Sequence, residues 1–174
     1  CEAAYIGENF QIGQSRVILE PRTLAKLLDA LDIHNDELVL DIGTGLGYSS
    51  AIISLIAEAV IAVEDDSNLA TEAEEILSDI GADNVVVQVS KLEDGAPEHG
   101  PYDVVILQGG IEEIPESISK QLKNGGRVGA IFVEKGLGTA KIGFKLNDKI
   151  NWRYSFNAAA PVLPGFFKQK DFAL

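Results

Sequence analysis

The sequence contains few of the residues on which several kinds of chemistry depend. Its 174 residues include one cysteine, two histidines and no methionine. A single cysteine cannot form an intramolecular disulfide, and it fits a reducing compartment, so we expect a cytoplasmic location. The histidines, His34 and His99, have no partner at a metal-ligand spacing, and the sequence therefore predicts no metal site.

Basic residues are also scarce, with 14 Lys and Arg against 27 Asp and Glu, a net charge of −13. Because nucleic acids and anionic membranes bind clustered Lys and Arg, neither is an expected partner. No apolar run approaches the roughly 20 residues of a membrane span. Hydrophobic residues still make up 46% of the chain, which predicts a single domain over residues 1–174. The chain begins at Cys1 instead of methionine, and we expect that an N-terminal portion is missing.

The most informative stretch is Glu-Leu-Val-Leu-Asp-Ile-Gly-Thr-Gly-Leu-Gly-Tyr, residues 37–48. An apolar strand runs directly into three alternating glycines, Gly43, Gly45 and Gly47. Such glycines let the backbone turn sharply and approach a ligand, and the helix that follows offers its unpaired N–H groups. Tyr48 stands where a dinucleotide-binding loop would have Gly or Ala. This difference favours a smaller nucleoside ligand, such as S-adenosylmethionine, over a pyrophosphate.

A second apolar strand, residues 59–64, ends in the acids Glu64, Asp65 and Asp66. Glu64 follows the glycine loop by about 20 residues, where the carboxylate of a βαβ unit accepts the ribose hydroxyls. The alternative interpretation is a tight turn followed by a solvated acidic loop. The order of strand, loop, helix, strand and acid favours nucleoside binding, with Glu64 as the principal ligand and Asp65 beside it. Asp65 and Asp66 can equally face water or cap the next helix.

Helices and strands alternate along most of the chain. Apolar residues at helical spacing predict helices over 20–33, 48–58 and 67–80 and a short one around 114–123. Strands are predicted at 38–42, 59–64, 84–89, 103–108 and 127–133. In the tail, residues 139–146 and 150–157 predict a hairpin across Asn147-Asp148-Lys149. We therefore predict the class I methyltransferase fold. In this fold a Rossmann-like, doubly wound α/β sheet is mostly parallel and ends in an antiparallel hairpin.

Particular motifs of the chain resemble the protein-L-isoaspartate O-methyltransferases, from about Gly13 to the C-terminus. The motifs are Val-Leu-Asp-Ile-Gly-Thr-Gly-Leu-Gly-Tyr-Ser-Ser (39–50), Asp-Asn-Val-Val-Val (83–87), Gly-Pro-Tyr-Asp-Val-Val-Ile-Leu (100–107), Ile-Pro (114–115) and Gln-Leu-Lys-Asn-Gly-Gly-Arg (121–127). The first motif is shared by many methyltransferases, whereas the last three in this order are much more particular. The tail, residues 158–166, looks like a diverged branch seen in proteobacterial relatives.

This resemblance implies a protein-repair enzyme that uses S-adenosyl-L-methionine. Family members methylate the misplaced α-carboxylate of an L-isoaspartyl residue, so the implied partner is a damaged protein or peptide. In the family, the acid at the position of Asp41 braces the glycine loop and approaches the methionine moiety. The predicted cofactor-binding residues are Asp41, Gly43, Thr44, Gly45, Gly47, Tyr48, Glu64, Asp65, Lys91, Leu92 and Gln108.

One departure from the family pattern falls in the loop that holds the acceptor, for which we predict Leu19, Glu20 and Arg22. Alignment on Pro21 puts Leu19 where the family has a serine that helps hold the substrate carboxylate. Leucine cannot donate a hydrogen bond, and Glu20 would repel an incoming carboxylate. Arg22 is either a carboxylate clamp or a surface residue in the first turn of a helix.

Two further departures concern the cofactor. Ser90-Lys91-Leu92 stands where the family has Gly-Asp-Gly, so the aspartate that accepts from adenine is missing. Backbone groups at 90–92 can still contact adenine, and Lys91 can equally be solvated. Gln108 lies at the end of a strand, where its side chain either hydrogen-bonds a substrate or only satisfies a polar group of the adjacent loop. Two functions stay open: isoaspartyl methylation, or a diverged S-adenosylmethionine-binding protein with another acceptor or a regulatory role.

Overall fold

The structure is a computed structural model that describes residues 8–170. In chain order its elements are β1 (Phe10–Gly13), β2 (Arg16–Ile18), α1 (Pro21–Leu31), β3 (Leu38–Ile42), α2 (Tyr48–Ser54), β4 (Ala59–Glu64), α3 (Ser67–Asp79), β5 (Val85–Val89), β6 (Tyr102–Ile111), α4 (Glu116–Ser119), β7 (Leu122–Glu134), β8 (Leu137–Leu146) and β9 (Lys149–Asn157). Two single-turn 3₁₀ helices, Leu92–Asp94 and Pro97–His99, lie between β5 and β6.

The strand order places β3, which leads into the glycine loop, near the middle of a seven-stranded sheet. The order is β5-β4-β3-β6-β7-β8-β9, and β1 and β2 form a separate two-stranded ribbon. Strands β5, β4, β3, β6 and β7 pair in parallel, whereas β7, β8 and β9 pair antiparallel. The predicted mostly parallel sheet with an antiparallel end is confirmed. The direction in which successive strands are added to the sheet reverses between β3 and β6. Ligands of such sheets bind at the carboxyl ends of the strands at that point.

Alternate residues of β3 point into two separate hydrophobic cores, as the period of a strand requires. Leu40 and Ile42 pack into the core that also contains Phe166 from the tail. Val39 faces the opposite core, which α1 and α2 cover with residues that include Leu27 and Ile53. Both faces of the sheet centre are therefore buried, which holds the carboxyl end of β3 in a fixed position. No helix within residues 8–170 is long and apolar enough to cross a membrane.

Acidic side chains begin two of the helices. The Glu20 carboxylate accepts a hydrogen bond from the Thr23 N–H at 3.1 Å, at the start of α1. Asp66 accepts from the N–H groups of Asn68 and Leu69 at 2.9 and 3.2 Å, at the start of α3. These contacts satisfy N–H groups that have no partner inside the helix. Asp66 therefore caps α3 and is also exposed to water, so both roles predicted for it are seen.

Helix α2 is shorter than predicted. It ends at Ser54, whereas the apolar spacing predicted a helix over 48–58. The Asn84 side-chain amide donates to the carbonyls of Ser54 and Glu58 at 2.9 and 3.1 Å. These carbonyls are held by a distant residue instead of by a further helical turn, a contact that apolar periodicity does not report.

Helix α4 is also shorter than the predicted 114–123 and occupies only Glu116–Ser119. The Tyr102 N–H donates to the Gln121 carbonyl at 2.7 Å, and Leu122 is already paired with Tyr102 across β6 and β7. Strand pairing therefore begins where the helical pattern was expected to continue.

Positive φ angles mark the turns of the hairpins. The predicted β8–β9 turn contains Asn147 and Asp148 at φ of 51° and 62°. A hairpin that the sequence did not predict joins β7 to β8 through Lys135 and Gly136, at 49° and 78°. Turns of this kind match the twist of antiparallel strands. The β1–β2 ribbon, with Ser15 at 56°, was also missed, because its strands of four and three residues are too short to show a period.

The Arg127 side chain, which ends the Gln-Leu-Lys-Asn-Gly-Gly-Arg motif, joins α1 to the loop before β3. Its Nη1 and Nη2 donate to the Glu37 carboxylate at 2.6 and 2.8 Å. Its Nε and Nη2 also donate to the carbonyls of Leu31 and Asp32 at 2.9 and 2.7 Å. The hydrogen bonds from Arg127 lower the pKa of Glu37 below its ordinary value. This arginine therefore stabilises the fold at the end of the sheet opposite the glycine loop.

Replacing Glu37 by glutamine should lower the free energy of unfolding at neutral pH by about 1–3 kcal/mol, because a charged, bidentate pair is lost. A carboxylate with a lowered pKa stabilises the fold above its unfolded pKa, and this contribution is lost as the pH falls through the folded pKa. The difference between Glu37→Gln and wild type should therefore shrink as the pH falls below the ordinary value of 4.5.

Urea unfolding of both proteins at about pH 7 and about pH 3 measures this change. Glu58→Gln, an exposed carboxylate, serves as the control and should follow the wild-type curve. An equal difference between Glu37→Gln and wild type at both pH values would contradict the assignment.

Candidate cofactor site

The glycine loop leaves the carboxyl end of β3 and is tied to β4. The N–H groups of Gly43 and Thr44 donate to the Val63 carbonyl at 2.8 and 3.3 Å. Gly43, Gly45 and Gly47 have φ of 82°, 59° and 87°. Residues with a Cβ rarely adopt such angles, so glycine is required for the path of the backbone as well as for close approach by a ligand.

Asp41, the predicted acid of β3, is completely buried and accepts three side-chain hydrogen bonds. The Oγ atoms of Ser49 and Ser50 donate to its Oδ2, both at 2.6 Å, and Gln108 Nε2 donates to its Oδ1 at 2.8 Å. Burial raises the pKa of Asp41, against the effect of these hydrogen bonds. The cluster joins β3, the start of α2 and β6. In this structure Gln108 therefore bonds to Asp41, at the base of the glycine loop.

Glu64, the predicted ribose ligand, lies buried at the end of β4 and faces the loop. Its Oε2 accepts from the Gly45 N–H at 2.7 Å, and its Oε1 accepts from the N–H groups of Asp65 and Asp66 at 3.0 and 3.2 Å. The carboxylate is thus fixed against the glycine loop by the backbone itself. The glycine loop and the acid, which the sequence predicted to form one nucleoside site, are therefore in direct contact.

Arg16, on β2, forms a bidentate ion pair with Glu64 that the sequence did not predict. Its Nη1 and Nη2 lie 2.8 and 2.6 Å from Oε1 and Oε2, and Nη1 also lies 2.7 Å from Asp65 Oδ1. The side chains of Arg16 and Glu64 are 7% and 0% exposed. The pairing depends on the fold of the β1–β2 ribbon over the loop, and the only signal in the sequence is the position of Arg16 just before the acceptor loop.

The ion pair shifts the pKa values of Arg16, Glu64 and the neighbouring Asp65. Burial opposes charge on Arg16 and Glu64, but their mutual hydrogen bonds overcome it, so the pKa of Arg16 is raised and that of Glu64 is lowered. Burial and the neighbouring Glu64 carboxylate raise the pKa of Asp65. Glu64 is therefore ionised at neutral pH, and both oxygens of an ionised carboxylate only accept hydrogen bonds.

The predicted acceptor-loop residues differ in burial and in contacts. Leu19 is 1% exposed and packs in the core beneath α1 and α2. Glu20 caps α1 through its hydrogen bond with Thr23. Arg22 is exposed in the first turn of α1. Leu19 lies beside Gly43 and Gln108 in the wall of a small cavity. Leu19 and Glu20 together line a larger cavity beside the glycine loop, whereas Arg22 lines neither.

The remaining predicted residues surround the loop or lie apart from it. The Thr44 and Ser50 hydroxyls are 2.8 Å apart, which extends the Asp41 cluster. Tyr48 is the first residue of α2 and is 41% exposed. Lys91 is exposed, and Leu92 is buried in the core on the other face of the sheet. Leu92 could therefore contact adenine only through its backbone.

The β1–β2 ribbon covers the surface of the loop that a nucleoside would approach. A Cβ built on Gly45 would lie 2.7 Å from Ile12 Cδ1, and one built on Gly43 would lie 3.3 Å from Arg16 Nη2. Two cavities adjoin the loop and Leu19. One, of about 10 Å³, is also lined by Gly43 and Gln108, and the other, of about 450 Å³, is also lined by Gly47 and Tyr48. The glycines, the fixed Glu64 carboxylate and the position in the sheet fit a nucleoside, provided that the Arg16 side chain moves away from Glu64.

No group of three or more His, Cys, Asp or Glu side chains within residues 8–170 is arranged to hold a metal ion. The predicted site consists instead of backbone N–H groups, the Asp41 cluster and the Glu64 carboxylate. Together with the sheet order, this arrangement is that of a class I methyltransferase. Comparison with known proteins supports the class and defines the family.

The family model described as protein-L-isoaspartate(D-aspartate) O-methyltransferase matches residues 1–152. The chain belongs to this family. A protein-L-isoaspartate O-methyltransferase from Brucella anthropi is 38% identical over 127 residues, 73% of this chain and 58% of that protein. One from Syntrophobacter fumaroxidans is 33% identical over 127 residues, 73% of this chain and 59% of that protein. The chain thus spans a little over half the length of these curated relatives.

Solved structures show the same fold. A protein-L-isoaspartate O-methyltransferase superposes with a TM-score of 0.81 at 26% identity, over 90% of this chain and 51% of that one. A Plasmodium falciparum protein described as a putative member, in complex with S-adenosyl-L-homocysteine, gives a TM-score of 0.75 at 20% identity, over 91% of this chain and 81% of that one. A precorrin-6y C5,15-methyltransferase from Geobacter metallireducens gives 0.61 at 17% identity, over 85% of this chain and 89% of that one.

Proposed function

We propose that the chain is an S-adenosylmethionine-dependent O-methyltransferase that methylates the carboxylate of L-isoaspartyl residues in damaged proteins. The observation that carries this proposal is the Glu64 carboxylate, which is buried at the end of β4 and hydrogen-bonded to the Gly45 N–H of the glycine loop. A carboxylate in this position accepts the two hydroxyls of a ribose. The solved relative with S-adenosyl-L-homocysteine supports the same class of ligand.

The proposed reaction asks the protein for positioning more than for acid–base chemistry. The bound cofactor would supply an electrophilic methyl group, and the isoaspartyl carboxylate is already a nucleophile. Glu64 and the glycine loop would hold the nucleoside, and the Asp41 cluster would keep the loop and α2 in place. The cytoplasmic location stays a prediction.

Methyl transfer to peptides tests the proposal directly. Tritiated S-adenosylmethionine is incubated with the chain and an isoaspartyl peptide, and the matched aspartyl peptide serves as the control. We expect label in the isoaspartyl peptide alone. Label in neither peptide, at enzyme concentrations that bind the cofactor, would contradict the proposed acceptor.

A second function, binding of the nucleoside without isoaspartyl methylation, is favoured by Leu19. The family serine at this position helps hold the substrate carboxylate, and a buried leucine offers no hydrogen-bond donor. Under this alternative the chain would act on another acceptor or regulate a partner. The same peptide assay separates the two functions when it is combined with a measurement of cofactor binding.

Leu19→Ser combined with Glu20→Gln should raise isoaspartyl turnover about tenfold, because one hydrogen-bond donor toward the acceptor is gained and one negative charge is removed. Glutamine keeps a side-chain oxygen that can accept from Thr23 at the start of α1. The measurement is kcat at saturating peptide, with thermal unfolding as a check of the fold.

Leu19→Ala combined with Glu20→Gln is the matched control, since it removes the same packing without adding a donor. Equal turnover in the serine and alanine variants would show that the hydroxyl plays no part. Wild-type turnover at the level of an active relative would show that the serine is dispensable here.

A further inference from the structure

We propose that Arg16, once ribose hydroxyls take its place on Glu64, binds the carboxylate of the methyl acceptor. Arg16 thus does in this chain what the family serine does at the position of Leu19. The inference rests on the proposed function, because it assumes an anionic acceptor, and it deepens that function by naming the group that holds the acceptor. It also makes acceptor binding depend on bound cofactor.

Ribose and Arg16 compete for the same carboxylate. Glu64 Oε1 accepts from Arg16 Nη1 and from the N–H groups of Asp65 and Asp66, and Oε2 accepts from Arg16 Nη2 and the Gly45 N–H. A carboxylate offers about four acceptor positions, so these donors already fill it. Ribose hydroxyls can therefore bind in place of the two arginine donors while the backbone donors stay. Cofactor binding releases the guanidinium.

The guanidinium lies beside the cavity that the acceptor loop lines. A Cβ built on Gly43 would lie 3.3 Å from Arg16 Nη2 and 3.6 Å from Gln108 Cβ, and Gly43, Gln108 and Leu19 line the small cavity. Ile18 lines it as well, and Ile18 and Arg16 share one face of β2 because side chains alternate along a strand. Rotation of the Arg16 side chain about its own bonds, with the ribbon in place, brings the guanidinium toward the acceptor.

Arg16 has an unused hydrogen-bond donor as well as the charge that an anionic acceptor requires. Its side chain is 7% exposed, and its Nε is buried without a hydrogen-bond partner among residues 8–170. A buried N–H without a partner costs free energy, so the ion pair with Glu64 leaves the arginine incompletely satisfied. A guanidinium presents its donors in a planar fork that fits a carboxylate. An acceptor carboxylate bound through Nε and Nη2 satisfies the unused donor.

The other residues of the acceptor loop are less suited to hold a carboxylate. Leu19 has no side-chain donor. Arg22 is exposed and lines neither cavity beside the glycine loop. Glu20 lines the larger cavity, where its negative charge opposes that of an anionic acceptor. The acceptor therefore needs a compensating cation, and Arg16 is a cation that already contacts the glycine loop.

Calorimetric titration of an isoaspartyl peptide into the full chain, with and without saturating S-adenosyl-L-homocysteine, tests the proposal. In wild type the nucleoside should tighten peptide binding about tenfold or more, because it frees Arg16 for the carboxylate. Arg16→Gln should bind the peptide with the same low affinity in both states. Arg153→Gln makes the same chemical change at an exposed position on β9 and should behave as wild type.

A peptide in which a carboxamide replaces the isoaspartyl α-carboxylate isolates the effect of charge. The wild-type complex should prefer the carboxylate peptide about tenfold or more, and Arg16→Gln should lose this preference. Arg16→Lys keeps the charge without the planar fork and should retain part of the preference, so it tests the role even if Arg16→Gln fails to fold. A purely structural role would weaken binding of both peptides equally, which would overturn the proposal.

The affinity for S-adenosyl-L-homocysteine shows which carboxylate Arg16 holds, because the methionine moiety of this nucleoside carries a carboxylate of its own. Arg16→Gln should bind the nucleoside at least as tightly as wild type. Weaker binding would assign Arg16 to the cofactor and overturn the proposal.

Equal peptide affinity in the nucleoside complexes of wild type and Arg16→Gln would overturn the proposal and leave the proposed function intact. Peptide binding by wild type that does not change with the nucleoside would have the same meaning. Absence of peptide binding by a wild-type chain that binds the nucleoside would overturn both proposals together.

Discussion

Replacing Glu64 by alanine should lower the free energy of unfolding by about 3–5 kcal/mol, because the buried Arg16 guanidinium would lose its bidentate partner and keep only its contact with the partly exposed Asp65. The ion pair is almost fully shielded from water, with side-chain exposures of 7% and 0%. The same substitution should abolish measurable nucleoside binding, since the acceptor of the ribose hydroxyls is gone. Urea unfolding measures the first effect and calorimetry with S-adenosyl-L-homocysteine measures the second.

The double variant Arg16→Met/Glu64→Ala separates the two effects. Removing both charges should recover most of the stability, because an uncompensated buried charge is the main source of the loss. It should not recover binding. Glu116→Ala, which breaks an exposed ion pair with Lys120, should change neither quantity. A stable Glu64→Ala variant that still binds the nucleoside would show that Glu64 is neither a partner of Arg16 nor the ribose ligand.

Replacing Gly45 by valine should lower the free energy of unfolding by about 2–4 kcal/mol, because two unfavourable effects act together. Valine at a φ of 59° is strained, and its Cβ would lie 2.7 Å from Ile12 Cδ1. Nucleoside binding should be lost as well, because the added side chain fills the surface of the loop. Thermal unfolding and calorimetry measure the two effects.

Gly125→Val is the matched control, because Gly125 has a φ of 86° but no atom within 4 Å of an added Cβ. It should show the backbone strain alone, about 1–2 kcal/mol. The excess at Gly45 is the contribution of the contact with Ile12. Equal losses at the two positions would indicate that Ile12 moves away freely.

The sequence predicted the parts of the site that depend on neighbouring residues. The strand of residues 38–42, the glycine loop and the acid of β4 follow one another within a single βαβ unit, and each shows a local pattern. The glycine loop can be recognised in the sequence because the backbone requires positive φ at Gly43, Gly45 and Gly47, and positive φ favours glycine. The parallel sheet followed from the alternation of helices and strands.

The parts that the sequence did not predict depend on distant contacts. Arg16 reaches Glu64 across 48 residues of chain, and no periodic pattern reports such a pair. Asn84 ends α2 by hydrogen bonds from another element. Gln108 was expected to face a ligand or a loop, and its bond to the buried Asp41 required the packing of β3 against β6.

The motifs that identify the family are largely structural in this chain. Arg127 holds α1 and Glu37 together. Gln121 donates to the Asp94 carbonyl at 2.8 Å and accepts from the Ala96 N–H at 3.0 Å. Asp103 accepts from the Leu38 N–H at 2.9 Å. A family match across these motifs therefore supports the fold strongly, whereas the acceptor rests on the loop around Leu19, where the chain departs from the family.

A crystal structure of the full chain with S-adenosyl-L-homocysteine tests the central claim most directly. We expect the ribose hydroxyls on the Glu64 carboxylate, the nucleoside over Gly43 and Gly45, and the Arg16 side chain moved away from Glu64. A nucleoside bound elsewhere, or one bound at the loop while Arg16 remains paired with Glu64, would contradict it.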